Sequence, residues 1–126
     1  MKNILYTTDC SQSSRSVLQY AFRLSSAMGA KLHVLYVYEP APLATTADGR
    51  HSMHELDYAA EQDLALAAYC DEQLVHEYGP KKLELLTEEN SSITRAISEV
   101  IERIDADLVI VGIKDYQSLQ NYFSEN

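Results

Sequence analysis

Four adjacent apolar residues, Leu108-Val109-Ile110-Val111, run without an interposed polar position from Asp107 to Gly112. A strand with no polar face is one covered on both sides, as in the interior of a parallel sheet. Asn3-Ile4-Leu5-Tyr6-Thr7-Thr8-Asp9 repeats the pattern at the start of the chain and turns polar where a loop must begin. With these two strands side by side, their carboxyl ends form the crevice in which open α/β sheets bind ligands, so function is sought at Thr7, Asp9 and the residues after Val111.

Between the two lies an alternation of helices and strands. Cys10 to Ser14 is rich in helix-capping serines, and Val17, Leu18, Ala21, Phe22, Ser25 and Met28 then recur at helical spacing up to Gly29, where a C-terminal cap belongs. Lys31 to Tyr38 is the second strand, stopped by Glu39-Pro40-Ala41-Pro42, and a loop containing Gly49 follows. From Ser52 to Tyr78 the spacing predicts one long helix with Leu56, Ala60, Leu64, Ala67, Cys70, Leu74 and Tyr78 on its buried stripe, ended by Gly79-Pro80. Lys81 to Thr87 reads as the third strand and Glu88-Glu89 as a solvated acidic turn. Asn90-Ser91-Ser92 then caps a helix whose Ile93, Ala96, Ile97, Val100, Ile101 and Ile104 make the cleanest amphipathic stripe in the chain. Strands alternating with helices imply right-handed βαβ units, hence an α/β three-layer sandwich on a parallel sheet.

After Gly112, Asp115 is placed to cap a short helix bearing Tyr116, Leu119, Tyr122 and Phe123, and no fifth strand follows. An apolar fourth strand left at a sheet edge needs a cover: either the sequence is a shortened form, whose bare strand would promote aggregation, or another chain pairs there.

The 126 residues, 46% of them hydrophobic, suit one domain with a core of its own, spanning residues 1–126. No apolar run nears the length of a membrane span, and Met1-Lys2-Asn3 leads straight into a strand, so the expected compartment is the cytoplasm. The formal charge of −9 argues against nucleic acid as a partner, since phosphate-backbone binding needs clustered Lys and Arg. Cys10 and Cys70 have neither zinc-site nor CxxC spacing, so neither a disulfide framework nor a structural metal is expected.

Three motifs, Ile4 to Ser11, Gly29 to Val37 and Ile104 to Gly112, stand in an order and spacing that resembles the universal stress protein family. The resemblance implies a Rossmann-like sheet of order 3-2-1-4-5, here written 3-2-1-4 with the fifth strand missing, and a cytoplasmic homodimer made under stress. In the family's ATP-binding branch an Asp after the first strand, a Val at the end of the second, and a Gly-x-x-Gly followed by a later Gly-Ser or Gly-Thr hold the nucleotide. Asp9, Val37 and Gly112 match that pattern. Asp115 replaces its second glycine and Glu125-Asn126 the later pair, and a carboxylate there both obstructs and repels a phosphate. The resemblance therefore implies the UspA-like branch, a protein working through dimerisation and protein contacts with no cofactor. The alternative is an ATP- or AMP-binding member, using magnesium, with Thr7, Asp9, Val37 and Gly112 as pocket walls.

Two readings stand for Asp9, an acceptor for adenine or ribose and a loop residue that caps the first helix or orders the strand end. Two also stand for Gly112, backbone approach to a ligand and a simple turn. Cys10, near a helix N-terminus, is a candidate redox thiol; Cys70 fits the core. His51 and His54, with Glu55 and Asp57, have a spacing that could bring two imidazoles toward one metal, but polar residues entering a surface helix are the favoured explanation and no metal is expected. Ser11, Ser13 and Ser14 stand in no Gly-x-Ser-x-Gly elbow and are accounted for as caps; no P-loop or Gly-x-Gly-x-x-Gly occurs, and no Asp ends the third strand as a phospho-acceptor would require. No enzymatic activity is expected.

Overall fold

The computed structural model describes residues 1–40, 52–77 and 82–113. Its elements follow the predicted alternation: β1 (Asn3–Thr8), a short 3-10 turn (Gln12–Ser14), α1 (Arg15–Met28), β2 (Lys31–Tyr38), α2 (Ser52–Gln73), β3 (Leu83–Glu89), α3 (Ile93–Ile104) and β4 (Leu108–Gly112). All strand pairs are parallel, in the order β3-β2-β1-β4. The first strand is thus central, with Thr8 level with Tyr36 on one side and Gly112 on the other.

Strand alternation divides the core in two. Ile4 and Tyr6 of β1 and Leu32 and Val34 of β2 meet Leu18, Ala21 and Phe22 of α1 and Leu66, Tyr69, Cys70 and Leu74 from α2 onward. Leu5 and Leu35 point the other way, against Ile97 and Val100 of α3. In β4, Leu108 and Ile110 join the first core and Val109 and Val111 the second, so this strand is covered on both faces although each of these side chains is half-buried. The C-terminal cap predicted at Gly29 is present, with a left-handed backbone at φ of 65°; Asp105, which the spacing did not single out, does the same after α3 at 54°. At the start of α3, Ser92 Oγ accepts the amide of Arg95 as predicted. Asp107 accepts both the Lys2 and Asn3 amides, which pins the entry of β1 to that of β4.

Three expectations need correcting. Helix α2 ends at Gln73, and its buried face is Leu66, Tyr69, Cys70 and Gln73; Leu64 is 71% exposed and Ala60 is exposed too. This helix carries Ala and Leu on several sides, so spacing alone selects no unique stripe. The third strand starts at Leu83 and runs through Glu88 and Glu89, which pair with Val37 and Tyr38 instead of forming a turn. Glu88 is accommodated there by Arg103 of α3. The serines before α1 do not cap it: neither Ser11 nor Ser14 makes a side-chain cap bond. Gly49, Tyr78, Gly79-Pro80, Asp115, the helix predicted from Tyr116 to Phe123 and Glu125-Asn126 lie outside the described residues, as does the stretch in which no fifth strand is expected.

Candidate functional site

The carboxyl ends of β1 and β4 are adjacent, and β1 is the strand at which the sequence changes direction across the sheet, with α1 and α2 against one face and α3 against the other. This is the switch point at which open α/β sheets bind ligands.

The structure brings the four candidate residues to that end but distributes them over different surfaces. Thr7 is 2% exposed, lies level with Leu35 and Val111, and its Oγ1 has no hydrogen-bond partner among the described residues. Val37 is half-buried and packs with the α3-side core, on the same face as Thr7 by alternation. Asp9 follows β1, where its Oδ1 accepts the Ser11 amide at 3.0 Å. That turn orders the strand end, the second of the two roles anticipated for this carboxylate.

Gly112 faces the opposite core. A Cβ on it would lie 2.6 Å from both Cε2 and the hydroxyl oxygen of Tyr6. The glycine is therefore needed for close approach, but the approaching group is the ring of Tyr6.

The loop after β1 is tied inward by hydroxyl groups. Tyr6 donates to the Ser14 carbonyl at 2.9 Å. Ser14 Oγ lies within hydrogen-bond distance of Thr8 Oγ1 and of the Tyr69 hydroxyl, and the Tyr69 hydroxyl also donates to the Ser11 carbonyl at 3.1 Å. Ser14 is 2% exposed, which explains why its hydroxyl joins this network and leaves the helix end uncapped. Sequence reasoning missed Tyr6, Ser14 and Tyr69 as a group. The available signal was a tyrosine following the apolar Ile4 and Leu5 in a strand read as covered on both faces, whose buried hydroxyl demands a partner.

Cys10 occupies the left-handed region with φ of 58°, its amide held by Thr8 Oγ1 at 3.0 Å. Burial, reinforced by the neighbouring charge of Asp9, pushes its thiol up to about 11. This weighs against the redox-thiol candidate: loss of solvent outweighs the helix N-terminus, and the thiolate is disfavoured. Cys70 is 2% exposed, as its place in the core predicted, and burial pushes its thiol up to about 12. Burial likewise raises the Tyr6 phenol to about 12 against the opposing hydrogen bonds of Ser14 and Thr8. Among the described residues no cluster of three metal-ligating side chains occurs; His51 and the side chains of His54 and Glu55 lie outside them. No helix among the described residues is long and apolar enough to cross a membrane.

Comparison with known proteins gives a consistent result. The family model described as "Universal stress protein family" matches residues 1–124. A search of curated proteins returns no match. Among solved structures, a universal stress protein family member from Burkholderia pseudomallei superposes with a TM-score of 0.72 at 17% identity, covering 97% of this chain and 89% of that one. A universal stress protein in complex with cAMP gives 0.62 at 20% identity, covering 86% and 69%. The universal stress protein of Archaeoglobus fulgidus in complex with dAMP gives 0.51 at 14% identity, covering 88% and 79%. At these identities the structural likeness speaks for the fold.

Proposed function

The chain belongs to the universal stress protein family, and from that premise we propose that it is a UspA-like stress-response protein of the cytoplasm, acting through homodimerisation and contacts with other proteins without ATP chemistry. The observation that carries this reading is the environment of Gly112. In ATP-binding relatives, glycines after the fourth strand let backbone amides approach phosphate. Here the face of Gly112 that lacks a side chain is occupied by Tyr6, whose hydroxyl donates to the Ser14 carbonyl, while the Thr8 and Ser14 hydroxyls are engaged with each other. The sequence adds Asp115 where the second glycine would stand, and a like charge repels phosphate. These residues do not fit a magnesium-bound triphosphate.

A second reading, nucleotide binding with or without slow hydrolysis, is favoured by one observation: Thr7 Oγ1 is buried and unpartnered at the crevice. Two structural neighbours are complexes with cAMP and dAMP, ligands that need no triphosphate grip. On that reading Thr7, Asp9 and Val37 line the nucleoside pocket.

Calorimetric titration with ATP and magnesium, and separately with cAMP, decides between them when combined with sedimentation analysis. The expected result is no binding heat and a dimer at micromolar concentration. Binding that disappears in Asp9→Ala would establish the second reading, and a monomer throughout would overturn the dimeric one.

A further inference from the structure

His33 lies toward the amino-terminal end of the sheet, away from the crevice, and the proposed function makes no use of it. Its side chain is 5% exposed, and its backbone lies level with Leu5 of β1 and Glu84 of β3. On the β1 side, Nε2–H donates to Asn3 Oδ1 at 3.0 Å. Asn3 is itself fixed, since its amide donates to Asp107 Oδ2.

The other ring nitrogen, Nδ1, is buried and has no hydrogen-bond partner among the described residues. Facing it is Glu84 Oε1 at 3.6 Å, beyond hydrogen-bond length, while Glu84 Oε2 takes Lys31 Nζ at 2.7 Å. On this face α3 contributes the uncharged Ile97, Val100, Ile101 and Ile104. The charged groups about the ring are thus Glu84 from β3 and Lys31 from β2, with neutral Asn3 from β1.

In the neutral ring a lone pair opposes a carboxylate oxygen with no hydrogen between them. A proton would fill that gap, but it would create a cation in a site closed to water. Burial outweighs the attraction of Glu84, and holds the imidazole below its ordinary 6.5. Any conformation that exposes the ring therefore binds the proton more readily. The opening that disturbs least is at the outer strand: among the described residues β3 pairs only with β2, and its Leu85 is already 40% exposed.

We propose that His33 is a buried proton-sensing group through which mild acid loosens β3 from the sheet. Below 6.5 the opened form binds more protons than the closed one, so a falling pH favours opening; above 6.5 neither is protonated and the closed sheet is favoured.

Two measurements on the full chain test this. The first is an NMR titration of the His33 ring, expected to give a midpoint below 6.5, moved further down in Glu84→Gln because the carboxylate that favours the cation is gone. The second is amide hydrogen exchange, corrected for intrinsic rates, at about pH 7 and about pH 5. Amides of β3 are expected to lose protection several-fold relative to those of β1 at the lower pH, and His33→Gln to abolish that difference. A midpoint at or above 6.5, an unchanged β3-to-β1 ratio, or the same change in His33→Gln would overturn the proposal. Should His33→Gln fail to fold, the titration and the exchange ratio of the unmodified chain decide.

Discussion

At Gly112 an added methyl group would collide with a ring that has nowhere to go. Tyr6 is fully buried and its hydroxyl is committed to the Ser14 carbonyl. Gly112→Ala is therefore expected to destabilise the fold by about 1–3 kcal/mol, the usual cost of overpacking a core, as read from urea denaturation midpoints. The same substitution is expected to leave nucleotide titrations as they were, since the glycine serves packing. How far the site was legible in the sequence follows from this residue. Gly112, Asp9, Thr7 and Val37 were recognisable as residues at strand ends, because strand ends are marked by a change from apolar to polar positions. That Gly112 faces Tyr6 was not legible: the pairing of β1 with β4 sets Gly112 level with Thr8, which brings it beside the Tyr6 ring, over a hundred residues away in the chain. The link from Ser14 to Tyr69 spans 55 positions and belongs to the same class. Local spacing carries no information on contacts that the sheet order creates.

At the scale of elements, legibility depended on how one-sided each segment is. The second strand was readable from Lys31 to Tyr38 because proline follows it, and α3 because its apolar residues occupy one stripe and Ser92 begins it. Ser92→Ala removes the acceptor for the Arg95 amide and is expected to cost about 1 kcal/mol, seen as a lower denaturation midpoint with unchanged slope. By contrast α2 misled, because Leu64 and Leu66 both look like core residues and only Leu66 is buried. Glu88 and Glu89 misled for the opposite reason. An outer strand needs no apolar side chain on its last residues, and β3 keeps its pairing with β2 while Glu88 reaches Arg103 and Glu89 stays exposed.

For the molecule as a whole, the titrating groups give one stability profile. Lys31, its nearest hydrogen-bond partner, lowers the Glu84 carboxyl below the ordinary 4.5, and the Asn3 and Lys2 amides lower that of Asp107 below 3.8. Their contributions are present above those values and fade as the pH falls through the native ones. His33 adds a loss that begins at 6.5, because the unfolded chain takes up a proton that the folded one resists. Cys10 and Cys70, raised to about 11 and about 12 from 9.0, act on the alkaline side: their contribution holds below 9.0 and is lost as pH rises toward the native values. Melting temperature against pH is thus expected to be highest near neutrality, to fall in two stages on the acid side and once above about 9, as scanning calorimetry at a series of pH values would show. Substituting His33 by Gln should remove the first acid stage alone.

The central place of β1 governs the time order of assembly. The six residues of β1 must hold β2 on one side and β4 on the other, and the second of these partners comes only at Leu108–Gly112. During synthesis the β1–β2 pair can form early by a local crossover, while the opposite edge of β1 waits until Leu108–Gly112 emerge. Through that interval Ile4, Leu5 and Tyr6 stand beside an unpaired backbone, the kind of edge to which other chains add. The interior strand of the finished protein is thus the vulnerable margin of the nascent one, and chaperone capture of ribosome-bound chains should end once β4 clears the exit tunnel.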